Sequence, residues 1–159
     1  LDESTISQLT NSVLTYSDLI TNRKTDYKFE LEKFTNVNGK TGIYVQYSQV
    51  RAKKLLESIE IKNSEVNSLI LNDVDRELLS KLYLFSYFLE QSAVLNEPHH
   101  LANYLYEISN LFNQFYESEK ILEIDESDRL SSKMYITNLF LTTSQNVMWC
   151  MGITPVNQM

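Results

Sequence analysis

Three glycines and two prolines are all the backbone breakers that 159 residues contain. Tight turns and sheet corners consume these residues, so a chain this poor in them lacks the reversals that a turn-rich β fold needs. Long helices joined by few loops are the alternative. The chain is 43% apolar and 11% aromatic, too hydrophobic for disorder and enough to bury the core of one domain. These features predict an all-α protein, an antiparallel helical bundle with a short mixed appendage at its N-terminal end.

Apolar spacing sets the elements. Residues 4–21 are predicted as a helix with Ile6, Leu9, Val13, Tyr16 and Ile20 on one face. Tyr27, Phe29 and Leu31 then alternate with Lys28, Glu30 and Glu32, the period of a short half-buried strand or extended arm. We therefore divide the chain into an appendage, 1–35, and a helical domain, 36–159. Residues 36–42 form a loop, and a helix follows over 43–58 with Val50 and Leu55 or Leu56 inward, broken at 62–65. Asp73 or Asp75 can cap the next helix, whose Leu78, Leu79, Leu82 and Phe85 share a face, with a new segment from Ser86. Pro98 opens another, where Leu101, Tyr104 or Leu105, Ile108, Leu111 or Phe112 and Phe115 make a wide stripe. An acidic loop, 117–128, leads to a last helix over 129–151. Gly152 sits where a left-handed C-cap is wanted, Ile153 can fold back, and Pro155 forbids continuation.

The chemistry concentrates in residues 38–56. A glycine-bearing turn there runs into a helix carrying Tyr44, Tyr47, Arg51 and Lys54. Backbone donors, flat aromatic faces and cations at one helix end are what unpaired nucleotides require. Net charge is −7, yet residues 23–62 hold nine Lys/Arg against five Asp/Glu, and the local field decides where a polyanion docks. Tyr44 and Tyr47 can equally be core aromatics with hydroxyls at the surface. In the Pro98 helix, Tyr104 and Phe115 read as core, whereas Tyr106 and Tyr116 are freer to meet a base. Asn113 can read a base edge or bond between helices.

Other chemistry is not expected. His99 and His100 are adjacent, so their side chains should diverge, with His99 satisfying the helix start and His100 in water. Asp125, Glu126 and Asp128 lack the glycine and oxygen spacing of a calcium loop. Cys150, between Trp149 and Met151, reads as a small core hydrophobe. As the only cysteine it excludes an internal disulfide and suits a reducing cytoplasm. No apolar run approaches the roughly 18 residues of a membrane span. With no initial methionine or leader-like segment, the chain is expected to be a piece of a longer protein.

Four segments share one resemblance. Residues 14–29, L-T-Y-S-D-L-I-T-N-R-K-T-D-Y-K-F, are similar to the Y-x-D-L-x-x-N-R-x-x-D-Y-x-F motif that follows the catalytic core of arginyl-tRNA synthetases. Residues 41–51 resemble the T-x-P-Y-x-Q-Y-x-x-x-R opening of their DALR-type anticodon-binding domain. Residues 98–116 are similar to that family's P-H-x-L-x-x-Y-L-Y-x-L-x-x-x-F-N-x-F-Y helix, and the tail resembles its closing G-x-x-x-P-x-x-M. Ile43 and Ser86 replace usual prolines, His100 a frequent basic residue, and Asn157–Gln158 an acid–arginine pair.

The resemblance implies the C-terminal portion of an enzyme that joins arginine to its tRNA with ATP and Mg²⁺. It implies that this portion binds no cofactor, partners the anticodon loop of tRNA-Arg rather than DNA, and belongs to a cytoplasmic monomer. Bundle geometry adds an expectation of its own: an antiparallel bundle places the start of one helix beside the end of its neighbour, so Tyr44, Tyr116 and the terminal Met159 should converge on one patch. The H-I-G-H and K-M-S-K signatures that handle ATP are absent; Ser131-Ser132-Lys133-Met134 has the letters in the wrong order. A rival reading is a helical protein–protein module whose aromatic stripe docks a partner helix. The chain alone should be inactive in arginine-dependent ATP–pyrophosphate exchange, and measurable exchange would overturn this assignment.

Overall fold

A computed structural model describes residues 1–59 and 69–159; the expected break at 62–65 lies outside them. The described residues form α1 (Glu3–Ile20), α2 (Leu31–Phe34), α3 (Gly42–Glu57), α4 (Asp73–Tyr83), α5 (Phe85–Leu95), α6 (His99–Glu117) and α7 (Ser127–Cys150), with a 3₁₀ turn at Ile121–Glu123. None of them is a strand. The alternating segment instead enters α2 in extended conformation, and Phe29 stacks on Phe34 at 5.1 Å between ring centres. With no neighbouring strand to pair with, period-two alternation produces only this local aromatic knot.

Each helix begins for a local reason. The side chains of Asp2 and Thr41 accept from the N–H groups of Thr5 and Tyr44. At α4 the cap is Asn72, and neither Asp73 nor Asp75 as expected. Asn72 accepts from the Asp75 N–H at 2.9 Å while Asp75 accepts from the Asn72 N–H, a closed capping box. The chain breaks at Leu84, and α5 starts at Phe85, one residue ahead of the expected Ser86. Gly152 takes φ +71°. The Gly152 N–H then bonds Trp149 and the Ile153 N–H bonds Met148 at 2.9 Å, a Schellman closure that buries Ile153.

Helix α6 is the hub, packing against α1, α3, α4, α5 and α7. Its stripe of Leu101, Tyr104, Leu105, Ile108, Phe112 and Phe115 is buried as expected. Phe112 stacks on Phe140 at 4.1 Å, and Phe115 lies beneath Lys133, so α7 runs antiparallel to α6. Tyr44 meets Tyr106 and Asn110, Ser48 meets Asn113, and Arg51 meets Tyr116 and Glu117. Partner numbers rise together, so within the bundle α3 and α6 run side by side in one direction.

Helix α1 is no loose appendage. Tyr16 is fully buried and its hydroxyl donates to the Ala102 carbonyl at 3.0 Å. The inward face is Thr5, Ser12, Val13, Tyr16 and Ser17; Ile6, expected inside, is exposed. Small residues face inward because α1 crosses α3 closely, and a Cβ on Gly42 would strike the Ser12 carbonyl. Gly42 is thus required by contact, with no positive φ.

The core also holds charge. Asp75 and Lys133 are fully buried, and Arg129 nearly so. Asp75 accepts from Lys133 at 2.8 Å and from Arg129, while Glu119 takes Arg129 at 2.6 Å and Lys133 at 3.4 Å. Burial works to raise the Asp75 carboxyl, but bonds from Arg129, Lys133 and the Asn72 N–H outweigh it and hold it below the ordinary range. The Arg129 bond likewise lowers Glu119.

Both carboxyls therefore bind protons more weakly folded than unfolded. Their contribution is fully present above the unfolded carboxylate values near 4 and is lost as pH falls through the lower folded values. We expect stability to be flat near neutrality and to fall below about pH 4. Asp75→Ala, which leaves Glu119 as the one carboxylate facing both Arg129 and Lys133, should cost about 3–5 kcal/mol by urea unfolding. A loss under 1 kcal/mol would show that the pair is not held as described.

Candidate nucleic-acid interface

Because α3 and α6 run side by side, the face of each that turns from the core forms one wall of a shared groove. The loop before α3 closes one end. The cleft has a volume of about 520 Å³ and is lined by Val37, Asn38, Tyr44, Tyr47, Arg51, Asn110, Asn113, Gln114 and Glu117. Lys40 tethers the loop to α6, reaching Asn103 at 2.8 Å with its ammonium 5.4 Å from the Tyr106 ring centre.

Tyr44 and Tyr106 pack against each other at 5.6 Å, and the Tyr44 hydroxyl reaches Asn110 at 3.4 Å. Burial pushes that hydroxyl's pKa upward, so it stays a neutral donor. Further along, the Arg51 guanidinium lies between two rings, 4.6 Å from Tyr47 and 4.7 Å from Tyr116. It donates to Asn113 at 2.9 Å and pairs with Glu117 at 3.4 Å. Cation–π contact on both faces fixes a long side chain that would otherwise wander.

Four of the eight residues singled out from the sequence, Tyr44, Tyr47, Arg51 and Asn113, line this groove, and Tyr106 and Tyr116 adjoin it through their contacts with Tyr44 and Arg51. Tyr47 is exposed, and Tyr44 is half-buried. Asn113 spans the helices, accepting from Arg51 and donating to Ser48 at 2.8 Å, which takes the interhelical alternative of its two readings. Lys54 is exposed two turns beyond Tyr47.

An antiparallel pairing would have put Tyr44 beside Tyr116. The parallel pairing puts Arg51 there, so the two tyrosines are spread along a row. The tail docks on α3 through Gln46, which accepts from the Val156 N–H and donates to Thr154, through Gln49, which donates to Val156, and through Lys53, which donates to Asn157. Gln46, Gln49 and Lys53 lie on the side of α3 away from Tyr44, Tyr47 and Arg51, so the tail runs along the other face of the helix and Met159, which is exposed, does not join the two tyrosines in one patch. Gln46 is consequently fully buried, and not a groove residue.

Two further readings need correction. Cys150 is exposed, and its neighbour Trp149 is 80% exposed, because the last turn points Val147, Met148 and Met151 into the core and leaves these two on the solvent side. The rings of His99 and His100 do not diverge but lie 4.2 Å apart. With Glu97 their ligand atoms fall within 4.8 Å of one another, since the preceding turn folds Glu97 over both. His100 is only half-buried rather than fully in water, and Glu97 already pairs with Lys24 at 3.1 Å and meets His100 at 3.2 Å. The His99 Nδ1 is buried without a partner among the described residues, so it does not satisfy the helix start.

Sequence reasoning passed over Asn110 and Gln114, polar residues one turn apart on α6. Their signal is that they follow Tyr106 at helical spacing and so share its side of the helix.

Comparison with known proteins gives one answer. The family profile described as DALR anticodon binding domain matches residues 45–159. The arginine–tRNA ligase of Alkaliphilus oremlandii is 30% identical across the whole chain, and that of Francisella tularensis subsp. novicida is 35% identical over 79% of it. The chain spans only 28% and 23% of those relatives. Among solved structures, the arginyl-tRNA synthetases of Thermus thermophilus and Plasmodium falciparum superpose with TM-scores of 0.84 and 0.85, at 22% and 24% identity. Each superposition covers 96% of this chain and 27% of the other.

The Arg51 geometry separates two cations that composition treats alike. Arg51→Ala should lower stability by about 1–2 kcal/mol, from two ring contacts and the Asn113 bond. Lys54→Ala, at an exposed position, should change it by less than 0.5 kcal/mol or so. Equal losses in thermal unfolding would refute the sandwich.

Proposed function

The chain belongs to the DALR anticodon binding domain family, and from that membership we propose that its α3–α6 groove receives unpaired bases of a tRNA anticodon loop. The relatives are named arginine–tRNA ligases, so the tRNA is tRNA-Arg, and residues 1–35 connect to a catalytic region. That region would attach arginine using ATP and Mg²⁺, in the cytoplasm and as a monomer. This chain's part is to hold the far end of the tRNA so that its acceptor end is positioned. Among the described residues no helix is long and apolar enough to cross a membrane.

The observation that carries this reading is the open groove lined by Tyr44, Tyr47 and Arg51, which offers aromatic faces beside a guanidinium, with Tyr116 adjoining it through Arg51. Bases splayed from a loop stack on such rings and are read on their edges. Phosphates beside them meet cations at the rim, such as Lys54.

Titration of tRNA-Arg against a non-cognate tRNA tests this. The cognate should bind more tightly, and affinity should fall as salt is raised. Each base–aromatic stack is worth roughly 1–3 kcal/mol, so Tyr116→Ala or Tyr44→Ala should weaken binding about tenfold. Charge reversal at Lys54 should weaken it without lowering the melting temperature. Equal affinity for both RNAs, or none for either, would reject the reading. Salt-independent capture of a helical peptide instead would favour the protein–protein module.

A further inference from the structure

Resting on that reading, we infer that Asn110 and Gln114 select which base the groove accepts, by hydrogen-bonding its edge. Among the described residues, the groove lining holds two charged side chains, Arg51 and Glu117, and they pair with each other at 3.4 Å. A phosphate placed there would find no uncompensated cation, so the interior suits a neutral, flat group. Tyr44 and Tyr47 on the α3 side supply the flat faces. The opposite wall, α6, supplies the polar groups.

Those polar groups differ in how far they are already engaged. Asn113 is saturated by Arg51 and Ser48. Asn110 accepts one long bond from Tyr44, which leaves its amide N–H₂ without a partner among the described residues. Gln114 is exposed and makes no side-chain hydrogen bond among them. Four residues apart on one helix, the two stand on the same face. Each carboxamide presents a donor and an acceptor together, the combination that matches a base edge in two bonds at once. A base stacked against the α3 tyrosines meets them edge-on. A base with the wrong donor–acceptor order leaves an amide unpaired in a sheltered cleft, which is what makes the choice selective.

The test uses RNA hairpins that share one stem and differ at single loop bases, titrated against the 159-residue chain. The unaltered chain should prefer one base at one loop position by about tenfold or more. Gln114→Ala should flatten that preference toward equality, with the salt dependence and melting temperature unchanged. Asn110→Ala should weaken it as well. Lys54→Gln, in contrast, should weaken all hairpins alike and keep their order. If Gln114→Ala and Asn110→Ala both keep the full preference, the inference fails while the anticodon-loop reading stands. If the unaltered chain binds no hairpin, both fail.

Discussion

Helix α7 carries two cations into the interior, and the bundle is arranged around their neutralisation. Arg129 and Lys133, one turn apart, are matched by Asp75 from the start of α4 and Glu119 from the segment after α6. Two carboxylates against two cations leave the cluster neutral, the condition under which buried charge is tolerable. Desolvation is costly, so the cluster is satisfied in only one arrangement of α4, α6 and α7. Apolar stripes alone would allow α7 to slide or rotate; the paired charges fix its register.

That register reaches the groove through one ring. The Lys133 ammonium sits 4.1 Å from the centre of Phe115, whose sequence neighbour Tyr116 covers Arg51 from the other side of α6. The Phe112–Phe140 stack, one turn earlier, holds the same stretch of α6 against α7. Across the groove, Gly42 lets α3 approach α1, and Gln46 ties α3 to Ser12 and to the tail. Both walls are therefore backed by buried, satisfied contacts. The groove residues sit on helices, which position side chains more narrowly than loops do.

Helix existence was legible in the sequence because breakers are scarce and apolar spacing is regular. The α6 stripe, the Pro98 start and the Gly152 closure all follow from local chemistry. What escaped depends on residues far apart in the chain. Lys133 stands at helical spacing with Ile136 and Phe140, a cation on an apolar face, but its partner is 58 positions away at Asp75. Cys150 was misplaced because α7 is buried on several sides along its middle and on few at its end. The burial of Gln46 was not legible either, because a buried amide and a base-reading amide look alike until their partners, here Thr154 and Val156, are seen. Tyr44, Tyr47, Arg51 and Tyr116 were found, yet their order along the groove required knowing that α3 and α6 run parallel.

An acidic chain with a polyanionic partner raises a question of charge, and the structure shows where the cations of residues 23–62 are spent. Lys24 pairs with Glu97, Lys28 with Glu30, Arg51 with Glu117, and Lys53 with Glu57 and Asn157. Lys40 is committed to Asn103 and Tyr106. Five of the nine cations in the local excess are thus engaged within the protein, where Lys40, Arg51 and Lys53 hold loop, helices and tail in place. On the proposed reading, Lys54 and its like meet phosphate at the rim, while rings and amides face the bases inside. Such a division suits discrimination. A site with many free cations would hold any RNA strand, whereas one whose cations are mostly committed gains affinity only from a loop whose bases fit.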